Sequence, residues 1–66
     1  MRVTVNGAEQ ELPDELTVAA LLDRLGVRRE RVAVERNGAV VKRARHEDER
    51  LASGDVLEIV SFVGGG

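Results

Sequence analysis

Apolar residues alternate with polar ones at the start of the chain. Met1, Val3 and Val5 share one side of a period-two pattern, with Arg2 and Thr4 between them, which predicts a half-buried strand. Asn6-Gly7 follows, a pair that favours a type I′ hairpin turn because both central residues there take positive φ. Ala8 to Leu12 reads as the returning strand, polar enough for a sheet edge, and Pro13 ends it. The period then changes. Val18, Leu21, Leu22 and Leu25 fall at i, i+3, i+4 and i+7, one apolar stripe of a helix. Thr17 is placed to cap its start and Gly26 to close its end in the left-handed conformation. Asp14 and Glu15 precede the helix and Arg28 and Arg29 follow it, which suits its dipole.

The second half repeats the hairpin theme. Arg31 to Arg36 reads as a strand with Val32 and Val34 on one face, Asn37-Gly38 as its turn, and Val40-Val41 as the return. Lys42 to Arg50 is polar throughout and predicts a surface loop or a single helical turn, anchored by Leu51. After a turn at Ser53-Gly54-Asp55, Val56 to Val63 is the longest strand. Its faces can be told apart: Glu58 is unsuited to a small core, so Leu57 and Ile59 are expected to point inward and Val60 and Phe62 outward. Strand, strand, helix, strand, strand, strand predicts an α+β fold, a mixed sheet of 4-5 strands with one main helix across it, which is the β-grasp arrangement. Residues 1–63 are expected to form the domain and residues 64–66 a flexible glycine tail.

Length and composition narrow the chemistry. With 66 residues the chain is a single small domain that buries only roughly 60% of its unfolded surface, leaving little room for an enclosed active site. It has no Cys and one His, which removes disulfides, thiol nucleophiles and histidine metal centres. Ser53 and Ser61 are the only serines, so a serine triad is not credible. With no Trp or Tyr and only Phe62, base-stacking platforms are absent, and a net charge of −2 does not suit a phosphate-backbone binder. No apolar run approaches a membrane span. The expectation is therefore a cytoplasmic protein, not an enzyme, with no catalytic residues, no metal, and no nucleic-acid or membrane partner. His46-Glu47-Asp48-Glu49 reads as a solvated loop, and the arginines and Lys42 as a mixed charged surface.

The segment Val63-Gly64-Gly65-Gly66 carries the candidate chemistry. Glycine threads a channel too narrow for any side chain and keeps its conformational freedom. A terminal carboxylate there is ionised at neutral pH and a poor electrophile, so it needs activation by another protein, for which a mixed anhydride with AMP is the usual route. Val60, Phe62 and Val63 are the candidate partner-binding residues beside it.

The ordered set Val3-Thr4-Val5-Asn6-Gly7, Thr17-Val18-Ala19-Ala20-Leu21-Leu22, Val32-Ala33-Val34-Glu35-Arg36-Asn37-Gly38, Ser53-Gly54-Asp55-Val56-Leu57-Glu58-Ile59-Val60 and Phe62-Val63-Gly64-Gly65-Gly66 resembles the ThiS-type sulfur carriers of thiamine thiazole biosynthesis, within the ubiquitin-like β-grasp superfamily. The resemblance covers nearly the whole chain. It implies that a ThiF-like enzyme, using ATP and magnesium, adenylates the Gly66 carboxylate. A persulfide donor would then replace the adenylate to leave a Gly66 thiocarboxylate, which gives its sulfur to a ThiG-like thiazole synthase. No cofactor is held stably by the carrier itself. Gly65 and Gly66 are the functional pair in this reading, and Gly64 is additional. A close variant of this reading is the small subunit of molybdopterin synthase; alternatives in other classes are a ubiquitin-like modifier joined to lysines and a binding module without tail chemistry.

Overall fold

The computed structural model of the chain describes residues 1–62. Five strands and one α-helix follow the order β1 (Arg2–Val5), β2 (Ala8–Glu11), α1 (Val18–Leu25), β3 (Val32–Arg36), β4 (Ala39–Val41) and β5 (Val56–Ser61). Short 3-10 turns at Arg29–Arg31 and Arg43–Arg45 precede β3 and follow β4. The strands form one mixed sheet in the order β2-β1-β5-β3-β4. Both hairpins are antiparallel, β5 is antiparallel to β3, and β1 runs parallel to β5 at the centre. This is the expected one-helix, five-strand β-grasp arrangement.

Both Asn-Gly turns form with the positive φ that their chemistry requires, Asn6 at 49° and Asn37 at 52°. Helix α1 is capped at both ends. The Thr17 hydroxyl accepts from the Ala20 N–H at 3.1 Å. Gly26, at φ 74°, closes a Schellman motif in which its N–H reaches the Asp23 carbonyl and the Val27 N–H reaches the Leu22 carbonyl. The helix stripe covers one face of the sheet: Val18, Leu21 and Leu22 are fully buried against Val3, Val5, Val32, Val34 and Leu57, with Leu51 closing the edge as expected.

Four features depart from the sequence expectation. Leu25, the last residue of the stripe, is 37% exposed at the helix end. Asp14 and Glu15 are engaged elsewhere, Asp14 with the Met1 ammonium and Glu15 with Arg50, each at 3.1 Å. Asp55, read as a turn residue, is buried. The polar run is not wholly solvated, because His46 is 1% exposed.

The burial of His46 has a backbone cause. Residues 46–49 pass over the start of α1, where the His46 carbonyl accepts from the Ala19 N–H and the Glu49 carbonyl from the Val18 N–H, both at 2.9 Å. With Thr17 they satisfy the first three N–H groups of the helix, which would otherwise be left unpaired. The ring then packs beneath β4, with Nε2 3.1 Å from the Val41 carbonyl.

Candidate functional site

The sheet has one face on the helix and one open. Register places Val56, Glu58 and Val60 of β5 on the open face, beside Thr4 of β1, Ala33 and Glu35 of β3 and, one strand further, Val40 of β4. Val60 is 59% exposed and Phe62, just past the strand, 49%, so both point away from the core as expected. Leu57 is fully buried and Ile59 packs against the core from the opposite face. Val40 and Val56 extend the exposed apolar surface on either side. Val63, the third candidate docking residue, and Gly64, Gly65 and Gly66 lie outside the described residues.

Two carboxylates sit in the middle of this apolar face. Glu35 and Glu58 are direct cross-strand partners, and like charges placed opposite each other destabilise a sheet. Glu58→Gln is therefore expected to raise stability by about 0.3–1 kcal/mol, an effect that shrinks as salt is added. Urea titrations at low and high ionic strength check it.

Both Asn-Gly turns also act on β5. Asn6 pairs with the Ile59 peptide: its Oδ1 accepts from the Ile59 N–H at 2.7 Å and its Nδ2 donates to the Ile59 carbonyl at 3.2 Å. Asn37 holds the other end, its Oδ1 accepting from the Val56 N–H at 2.9 Å and its Nδ2 donating to Asp55 at 3.0 Å. The residues read from sequence as turn formers thus also bracket the central strand. Nothing local signals this, since Asn6 and Ile59 are 53 positions apart.

Asp55 anchors the start of β5. Its carboxylate accepts from the Arg36 Nε and the Ala52 N–H, each at 2.8 Å, and from Asn37. Arg36 donates in turn to Glu49 at 2.9 Å, which ties β3, the loop over the helix and the turn before β5 into one network. Burial disfavours the charged form of Asp55, but the bonds from Ala52, Asn37 and Arg36 outweigh it and hold the carboxyl below its usual range. Burial likewise disfavours the Arg36 charge, and the bonds that Arg36 donates to the Glu49 and Asp55 carboxylates reverse that, raising its pKa.

The basic residues near Arg28 are mixed with acids, with Arg29 3.2 Å from Glu47 and Arg28 4.0 Å from Glu30. Among the described residues no cluster of His, Asp or Glu is arranged to hold a metal ion. No helix among them is long and apolar enough to cross a membrane.

One helix across a five-strand mixed sheet, with a parallel central pair and an exposed β5, defines a ubiquitin-like β-grasp domain. The ThiS family model matches residues 2–66, and the chain belongs to the ThiS family. A crystal structure of the thiamine biosynthesis protein ThiS from Geobacter metallireducens superposes with a TM-score of 0.86 at 38% identity, covering 100% of both chains. The sulfur carrier protein ThiS of Bacillus subtilis is 40% identical over 53 residues, 80% of each chain. A thiazole synthase of Paramagnetospirillum magneticum is 44% identical over 66 residues, all of this chain but 20% of that protein. A second, from Magnetococcus marinus, is 41% identical over the same share. The chain thus spans about a fifth of the length of these two synthases.

Proposed function

We propose that the chain is a sulfur carrier that works through the carboxylate of Gly66, in the cytoplasm, and supplies thiazole synthase during thiamine biosynthesis. An adenylating enzyme of the ThiF type binds ATP and magnesium. A Gly66 carboxylate oxygen attacks the α-phosphorus and pyrophosphate leaves, giving an acyl adenylate. The terminal sulfur of a persulfide donor then displaces AMP, and a second thiol cleaves the S–S bond to leave the thiocarboxylate. The carrier contributes no catalytic group and holds no cofactor stably. It contributes a surface to be recognised and a tethered nucleophile that does not diffuse away as free sulfide.

The observation that carries this reading is the position of β5. It is the central strand, fastened by Asn6 and Asn37, and in sequence it leads directly into Phe62-Val63-Gly64-Gly65-Gly66. The likeness to segments of two thiazole synthases supports the choice of acceptor. The reading is tested by binding the purified chain to thiazole synthase and to the large subunit of molybdopterin synthase. Selective binding to the first is expected, and selective binding to the second would redirect the sulfur to another product.

The docking face has its own test. Phe62→Ala and Val60→Ala are expected to weaken binding to the adenylating enzyme by about 1–2 kcal/mol each, roughly tenfold or more, as for apolar anchors at an interface centre. Because both side chains face away from the core, thermal unfolding should change little. Calorimetric titration together with melting curves separates the two effects.

A further inference from the structure

Strands β1 and β5 run parallel but end at different points. β1 stops at Val5, with Cα partners Thr4↔Val56 and Val5↔Leu57, whereas β5 continues to Ser61. The ladder gains one rung past Val5, where the Asn6 N–H donates to the Leu57 carbonyl at 2.9 Å. In a continuing parallel ladder the Asn6 carbonyl would accept the next bond, from the Ile59 N–H. The chain has already turned away into β2 at that point, with Asn6 at φ 49° and Gly7 at φ 84°.

The Asn6 side chain supplies the missing rung. An amide side chain offers the same donor and acceptor as a peptide group. Here it takes both Ile59 backbone groups, at 2.7 Å and 3.2 Å. Both Ile59 backbone groups therefore face Asn6, while its neighbours Glu58 and Val60 are registered with Glu35 and Ala33 of β3 on the other edge. Asn6 is also one of the few residue types other than glycine that accept left-handed backbone easily, so turn and clasp come from a single residue. Glycine would make the turn but not the clasp.

We propose that Asn6 is a positioning residue for the chemistry at Gly66. The clasp holds the β1 edge of β5 past the end of β1, while β3 holds the other edge as far as Phe62, whose N–H donates to the Arg31 carbonyl at 2.9 Å. A strand braced on both edges lets a docked carrier present its carboxylate to the activating site in fewer poses. Orientation of this kind acts on the rate of a bound complex rather than on its formation. The proposal rests on the carrier reading above.

The test compares the unaltered chain with Asn6→Gly, which keeps the left-handed turn and removes the amide, and with Asn6→Asp, which keeps the acceptor for the Ile59 N–H. Three quantities are measured: amide exchange at Ile59, the Kd for the adenylating enzyme, and ATP–pyrophosphate exchange at saturating carrier. For Asn6→Gly, Ile59 exchange should accelerate roughly tenfold or more, as a locally opened rung does. The Kd should stay within about twofold and the saturated rate should fall about fivefold or more, since misplaced reacting groups are slow. Asn6→Asp should lie between. Faster Ile59 exchange with an unchanged saturated rate, or a loss confined to Kd, would overturn the proposal and leave Asn6 a purely structural clasp. An unaltered chain that supports no exchange would overturn the carrier reading itself, and the proposal with it.

Discussion

Removing Gly65 and Gly66 together is expected to lower sulfur loading by at least roughly a hundredfold while leaving the melting temperature of the domain unchanged. The shortened chain still ends in glycine and still carries a terminal carboxylate, so the charge and the residue type at the end are retained. Reach is what changes. Two residues of extended chain span about 7 Å, whereas acyl transfer needs reacting atoms within about 3–3.5 Å of each other. The fold should not register the loss, because the buried core of the described residues lies between Val3 and Leu57. Melting curves alongside a loading assay distinguish this from destabilisation. A module without tail chemistry would keep its function.

The second large effect lies at the other end of β5. Asp55→Ala removes three hydrogen-bond acceptances at once and leaves a half-buried Arg36 with Glu49 alone. The expected cost is about 2–3 kcal/mol, below that of a fully buried pair because Arg36 retains some contact with water. For a domain of this size that lowers Tm by roughly 10–20 °C.

The same network sets part of the pH dependence. The Asp55 carboxyl is depressed in the folded state, so its stabilisation is fully present above its unfolded value, about 3.9, and fades as pH falls through the lower folded value. Asp55→Asn should therefore show a shallower acid limb below about pH 4, together with lower stability at neutral pH. Denaturant titrations across that range measure both.

The division between what was legible in the sequence and what was not follows the range of the interactions. Val3 and Val5, the helix stripe through Val18, Leu21 and Leu22, and both Asn-Gly turns are set by contacts a few residues apart, and they were readable. The two faces of β5 were readable because a carboxylate at Glu58 is unsuited to the core. The uses of His46, Asp55 and Arg36 were not. Each depends on which loop crosses which element, as when residues 46–49 pass over the start of α1. Leu25 shows the same limit from the other direction, since its periodicity is that of the core but the helix ends before it is covered. The clasp of Asn6 on Ile59 joins the two ends of the chain, and a turn motif alone carries no trace of it.

The proposed chemistry at Gly66 is tested most directly by the intact mass of the chain after incubation with ATP, an adenylating enzyme of the ThiF type and a persulfide source. Replacement of one oxygen by sulfur, mapped by fragmentation to Gly66, is the result expected of a thiocarboxylate carrier. An unchanged mass under conditions in which the enzyme loads another carrier, or isopeptide adducts to lysine in place of the sulfur product, would contradict it.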